Sequence, residues 1–143
     1  MSGCEAYQIR PLEKFSLSFE KVVKSHYRKN KQARVLFETL IDEYITILRK
    51  QPLFDESDSE NFPKGCYKPD FDFRKIRFFM PDLRGASRKG RLMYVVHQDS
   101  CSVFLVWVYT HEEYPKRPSD GELREQLLLI EKDVLVVPPS LEL

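Results

Sequence analysis

The stretch FRKIRFFMPDLRGASRKGRLMYVV, residues 73–96, followed by VFLVWVYTHEEY, residues 103–114, decides how this chain is read. Between residues 73 and 91 it carries seven cations (Arg74, Lys75, Arg77, Arg84, Arg88, Lys89, Arg91) against one acid, Asp82. The stretch is therefore +6 in a chain whose formal charge is only +1. Positive charge concentrated on one part of a near-neutral chain is the footprint of a site for polyanions.

Three strands are predicted here, over residues 73–80, 91–97 and 103–110. The last two are joined by the short polar link Gln98-Asp99-Ser100, which suggests an antiparallel hairpin. Upstream, residues 7–12 read as a first strand, and Phe15, Phe19, Val22 and Val23 fall at helical spacing in a short basic helix. From about residue 33 to 50, Phe37, Leu40, Ile41, Tyr44, Ile45 and Leu48 form one stripe of period 3.6 that Pro52 stops. Residues 53–72 read as a loop, with turn signals at Pro63-Lys64-Gly65 and Lys68-Pro69-Asp70. Downstream, Ser119-Asp120-Gly121-Glu122 fits a capping box, and Leu123, Leu127 and Ile130 continue it as a helix. The tail VLVVPPSLEL cannot stay helical past Pro138-Pro139. The expected class is α+β: an N-terminal strand and two helices packed on a twisted antiparallel sheet, with a C-terminal helix.

A chain of 143 residues, 42% apolar, fits one domain spanning residues 1–143. Every apolar run is too short for a membrane span, and the N-terminus has no stretch resembling a signal peptide. Cys4 follows small residues, as in a lipid-attachment box, but lacks the hydrophobic run such a box requires. Cys4, Cys66 and Cys101 are odd in number and in no CxxC pairing, which suggests a reduced, cytoplasmic protein. Neutrality is a cancellation of blocks: +4 over residues 1–54, −4 over 55–72, +6 over 73–91 and −5 over 92–143.

Because successive strand side chains point to opposite faces, the cations can be placed. Ile76 and Phe78 oppose Lys75, Arg77 and Phe79; Leu92, Tyr94 and Val96 oppose Arg91, Met93 and Val95. In the last strand Phe104, Val106 and Val108 oppose Leu105, Trp107, Tyr109 and His111. A tight hairpin sets Arg91 opposite roughly Tyr109, and an antiparallel return brings Arg77 near Met93. Lys75, Arg77, Arg91, Tyr109 and His111 are thus expected to converge on one open face. The opposite register would bury these polar groups at considerable cost.

At this point the chain resembles the RelE/ParE superfamily of small toxins from bacterial toxin–antitoxin pairs. LRGASRKGRLMYVV followed by VFLVWVYTHEEY is similar to the family's Gly-(x)-Arg-(apolar)-(apolar)-Tyr strand and its successor, and KIRFF to the basic strand before them. The resemblance covers about residues 6–128 and leaves 129–143 as an extension. It implies a RelE-like fold, a cognate antitoxin partner and endoribonuclease action on mRNA at the ribosome. By position it carries over Lys75 and Arg77 as the basic pair, Arg91 as the strand arginine and His111 as the functional residue near the last strand's end. The acidic pair Glu112-Glu113 and the acidic loop 55–60 depart from the family's pattern.

Cleavage of RNA by its own 2′-hydroxyl needs a base, cations for the phosphorane and an acid for the leaving oxygen. Arg77 and Arg91 suit the phosphate because a guanidinium donates two bonds at once. His111, with a reference pKa of ~6.5, suits the base or acid role. Lys75 or Tyr109 can assist, Trp107 can stack on a base, and Arg88 and Lys89 can bind the strand. No cofactor or metal is called for, since His26, His97, His111 and the cysteines show no ligand spacing. Set beside this are plainer readings: strand cations that merely solubilise, a surface His111, aromatics that cover a sheet, and acids of the 55–60 loop that are simply solvated. Two functional alternatives remain, a ParE-like gyrase-inhibiting toxin without nuclease chemistry and a degenerate binding module of the same fold.

Overall fold

The computed structural model describes residues 3–135. The expected break at Pro138-Pro139 lies outside them. The elements run β1 (Gln8–Pro11), α1 (Glu13–His26), α2 (Lys31–Lys50), β2 (Ser57–Ser59), β3 (Phe71–Phe79), a 3-10 turn (Gly85–Arg88), β4 (Lys89–His97), β5 (Ser102–Thr110) and α3 (Asp120–Leu135). The sheet order is β1-β5-β4-β3-β2. β3, β4 and β5 form the expected antiparallel meander, while β1 lies parallel to β5 and makes the sheet mixed. The fold is α+β, with three helices on a five-stranded mixed sheet.

α2 and α3 carry their own capping signals. Asn30 caps α2 by accepting from the Ala33 N–H at 3.1 Å, and Arg49 and Lys50 sit at its negative C-terminal end. Ser119 and Glu122 exchange bonds of 3.2 and 3.3 Å, so the capping box expected at α3 is formed. The α2 stripe buries Phe37, Ile41 and Leu48 and packs with α1 on one face of the sheet, against Ile76, Phe78, Leu92, Tyr94, Val96, Val103, Leu105 and Val108.

The second face is also covered, and this overturns the expected open side. Leu123, Leu127 and Ile130 of α3 pack on Phe71, Phe73, Met93, Val95, Phe104, Val106, Trp107 and Tyr109. Ion pairs Arg10–Asp133 and Lys68–Glu131 tie α3 to β1 and to the loop before β3. The physical reason is the unbroken apolar run of residues 103–109. Strict alternation leaves one side polar, but a continuous run must be shielded on both. Every residue of β5 is buried.

Alternation also fails locally. Met93 pairs with Trp107 and Tyr94 with Leu105, leaving Val106 as an extra residue in β5. This bulge exchanges the faces of residues 104–106. Leu105 therefore faces α1 and α2, whereas Phe104 and Val106 face α3, the reverse of the expected assignment.

Two loop readings are corrected as well. Residues 57–59, expected within a loop, form β2, which pairs with β3 through Asp58↔Lys75. Cys4 and Cys101, expected unpaired, are joined by a disulfide with Cα atoms 5.6 Å apart. The parallel pairing starts at Gln8↔Ser102, so the residues before β1 lie against the β4–β5 turn. Cys66 is free. Among the described residues no helix is long and apolar enough to cross a membrane.

Gly90 shows how tightly the end of the meander is packed. A Cβ there would lie 2.4 Å from Phe78 Cε2, and the ring is held between Phe37 and Tyr44. Gly90→Ala is expected to destabilise the fold by about 1–3 kcal/mol, as overpacking does. Urea denaturation followed by circular dichroism measures this; an unchanged midpoint would mean that Phe78 has somewhere to go.

Candidate anion-binding site at the sheet end

Double-sided burial leaves few places for the charged strand residues. In β4 only Lys89 and Arg91 escape full burial, both at the strand's start. Arg91 stands directly opposite Tyr109, as expected. Arg77 stands opposite Arg91 itself rather than near Met93, because the β3–β4 return is two residues tighter than expected. Two guanidinium-bearing residues therefore occupy one cross-strand pair, which like charges ordinarily destabilise.

The four expected catalytic side chains have unequal surroundings. Arg77 is exposed and ion-paired to Asp58. Arg91 is half-buried; its Nη1 donates to the Gly90 carbonyl at 2.8 Å, and it has no acidic partner among the described residues. Burial first, and Arg77 second, lower the Arg91 pKa from its ordinary value. His111 lies one step past β5, where its backbone N–H donates to the Lys89 carbonyl at 2.8 Å; its side chain is half-exposed and has no ion-pair partner among the described residues. Lys75 is buried and bound to Glu60 at 3.0 Å.

Trp107 and Tyr109, expected to meet substrate, are 3% and 0% exposed. Tyr114 packs edge-on against both rings, and Lys14 lies over Trp107 at 4.8 Å. In this state neither can stack on a base. The exposed aromatic at the site is instead Phe79, 66% exposed, with the Arg88 guanidinium 4.4 Å from its ring centroid. Lys89 pairs opposite Phe79. A groove of about 510 Å³ at this end is lined by Tyr44, Glu56, Arg77, Phe79, Lys89 and Arg91, among others.

Sequence reasoning missed the acids that hold these cations. The acids of residues 55–60, expected to be solvated, are engaged: Asp58 pairs with Arg77, and Glu60 bridges Lys75 and, at 2.8 Å, Arg117. Arg117 also reaches Asp120 at 3.1 Å, joining β2, β3 and the start of α3. The alternating cations of KIR opposite the alternating acids of DSE were the available signal for a β2–β3 pairing. Glu113 of the acidic pair is ion-paired to Lys21. His97, assigned no role, is buried between Ser100 (2.7 Å) and Asp70 (3.3 Å) and supports the hairpin. No group of three or more His, Cys, Asp or Glu side chains is arranged to hold a metal ion among the described residues.

Several solved structures resemble the chain. A copper-bound variant of a toxin from Helicobacter pylori shares 20% identity, with 76% of this chain and 98% of that chain covered, at a TM-score of 0.44. A variant of the E. coli toxin RelE in the free state shares 22%, with 86% and 95% covered, also at 0.44. A conserved hypothetical protein, HP0892, from Helicobacter pylori shares 20%, with 75% and 97% covered, at 0.38. No family model matches the chain, and no curated protein does. Likenesses of this size concern the path of the chain and assign no chemistry to its side chains.

Two substitutions separate scaffold from site. Glu60→Ala strands the largely buried Lys75 without its partner and is expected to cost about 3 kcal/mol, in the range for breaking a buried pair. Tyr109→Phe removes a buried hydroxyl that has no hydrogen-bond partner among the described residues. It should be neutral or stabilise by up to about 1 kcal/mol, since an unsatisfied buried group is itself costly. Thermal melts of both variants measure the contrast. A marked loss in Tyr109→Phe would show that the hydroxyl is satisfied in solution.

Proposed function

We propose that this protein is the toxin of a toxin–antitoxin pair and cleaves mRNA at the sheet end marked by Arg77, Arg91 and His111, on the ribosome and under the control of a cognate antitoxin. The observation that carries this reading is the Arg77–Arg91 cross-strand pair, in which Arg91 is half-buried beside a like charge and without an acid. A phosphate between the two guanidinium groups supplies the missing negative charge and relieves both penalties at once.

The residues divide the chemistry as follows. The 2′-oxygen forms a bond to phosphorus while the bond from phosphorus to the 5′-oxygen breaks, leaving a 2′,3′-cyclic phosphate and a 5′-hydroxyl. Arg91 binds a non-bridging oxygen and holds the charge that grows on the phosphorane. Arg77 joins it by exchanging Asp58 for the phosphate, a small cost because exposed ion pairs contribute only about 0–1 kcal/mol. His111 moves one proton, either from the attacking hydroxyl or to the departing oxygen, and solvent water moves the other. Phe79 offers the exposed ring on which a base can stack, with Arg88 and Lys89 along the strand. Lys75, held by Glu60, positions β2 and the segment before α3 rather than touching substrate in this state.

Induced expression in a bacterial host tests this, with wild type beside Arg91→Ala and Arg91→Ala/His111→Ala and with mRNA 5′ ends mapped. New ends inside translated codons are expected for wild type only. The single variant should lose about 10²–10³-fold in cleavage, as when one transition-state donor is removed, with stability changed by less than about 0.5 kcal/mol. Arrested growth with intact mRNA would replace the nuclease with a gyrase-directed or other protein-directed poison. Normal growth with intact mRNA would leave a binding module.

A further inference from the structure

The fold sorts the three cysteines of the chain by the face of the sheet they pack on. Cys66 belongs with the α3 side, whereas Cys4 and Cys101 pack on the side of α1 and α2. The sheet therefore keeps Cys66 from competing for either partner of the disulfide. Cys101 sits in the turn between β4 and β5 at φ 48°, in the left-handed region that favours glycine. The turn by itself would be better served by glycine. What a cysteine adds there is the bond to Cys4.

That bond fastens a short segment at the edge of the sheet. Residues 3–7 have no regular structure, and among them only Tyr7 is buried. β1 follows, four residues long, at the sheet's edge and paired on one side, to β5. Two backbone bonds continue the attachment. The Tyr7 N–H donates to the Arg49 carbonyl at the end of α2, at 2.7 Å, and the Gln8 N–H donates to the Cys101 carbonyl at 2.8 Å. The segment thus clips the end of α2 to the β4–β5 turn, with the Tyr7 ring set into the core between them.

The same segment is one wall of a cavity of about 810 Å³. Cys4 and Tyr7 face it from one side, and Ile47, Lys50 and residues 51–56 from the others. Both bonded cysteines are half-exposed, so a thiolate can approach their sulfurs from solvent. The bond also lies at the opposite end of the β4–β5 hairpin from the candidate site. His97 pairs with Ser102 beside the turn, whereas Arg91 pairs with Tyr109 at the far end.

We propose that Cys4–Cys101 is a redox latch. Its reduction by a dithiol releases residues 3–7 from the end of α2 and opens the cavity, while β3, β4 and β5 and the Arg77–Arg91 pair stay folded. A thiolate of the reductant bonds to one of the two sulfurs as the Cys4–Cys101 bond breaks, and the electron pair leaves with the other cysteine. The reductant's second thiolate then displaces the first cysteine and closes the reductant's own disulfide. Two electrons have passed from the dithiol, and Cys4 and Cys101 each take a proton to end as thiols. The latch is independent of the proposed cleavage chemistry.

Hydrogen exchange on the oxidised full chain, with and without dithiothreitol under native conditions, tests this. Titratable thiols should rise from Cys66 alone to all three cysteines. The amides of Tyr7 and Gln8 should exchange about tenfold faster or more, while those of residues 92–96 hold their rates, as local opening requires. The melting temperature should fall by roughly 5–15 °C, because the cross-link closes a long loop in the unfolded chain. Cys66→Ser should keep the whole response. Cys4→Ser should match reduced wild type whether or not dithiothreitol is present, and reduced wild type itself supplies the result should that variant fail to fold. A disulfide that dithiothreitol reaches only after denaturation is a structural staple and overturns the inference. So do exchange rates that rise uniformly through β4 and β5, and unchanged exchange at Tyr7 and Gln8 after reduction. Three thiols that oxidised glutathione cannot join into a Cys4–Cys101 bond overturn it as well.

Discussion

β4 and β5 are sealed on both faces, and the rest of the molecule is arranged around that constraint. α1 and α2 cover one side and α3 the other, so no charged side chain can leave the middle of either strand. Within the sheet, charge is confined to the ends of β4 and to the flanking strands β1, β2 and β3. Arg91 and Lys89 enter β4 at its start, and His111 leaves β5 at its finish. Antiparallel pairing makes these the same place. The cationic end of the sheet is therefore a consequence of the core, because the end is where the core permits a cation to reach water.

Much of this was legible in the sequence. The α2 stripe, the hairpin at residues 98–100, the capping box at Ser119 and the Arg91–Tyr109 pairing follow from periodicity and turn chemistry, and each is found. The open face failed for a reason also written in the chain. Residues 103–109 are continuously apolar, which marks a strand buried on both sides, and Leu123, Leu127 and Ile130 were at hand to bury it. The bulge at Val106 carries no comparable mark, since neither Gly nor Pro accompanies it and an extra apolar residue among apolar neighbours looks the same in either register. Of the site, Arg77, Arg91 and His111 could be placed by strand parity. The burial of Trp107, Tyr109 and Lys75 could not, because it depends on α3 and on Tyr114 arriving from outside the sheet.

The charge blocks take on spatial meaning once β2 is recognised. The −4 block and the +6 block are neighbours across the β2–β3 ladder, and the acids of the first neutralise part of the second. Glu60 does so in a largely dry setting, where it also captures Arg117 and so fastens the approach to α3. A group bound on both sides in this way contributes geometry more than net stability, since taking ions out of water offsets much of their attraction. What it fixes here is the path of residues 112–118, and through Tyr114 the shielding of Trp107 and Tyr109.

Neutralisation stops one strand short of complete. β2 ends its pairing at Ser57↔Ile76, and the chain before it folds back through the bond from the Ser57 N–H to the Phe54 carbonyl. Glu56 lines the groove near Arg91 yet forms no ion pair among the described residues. A β2 strand two residues longer would lay Glu56 and Asp55 alongside Arg77 and Phe78, and could bring an acid within reach of Arg91. The brevity of β2 therefore does chemical work. It leaves β3 free at Arg77–Phe79, keeps Phe79 exposed and holds Arg91 without a counter-ion beside a like charge. An acid at that position would make the protein more stable and would fill the place a phosphate must take. A site for polyanions has to forgo that stabilisation, and here the length of one three-residue strand decides it.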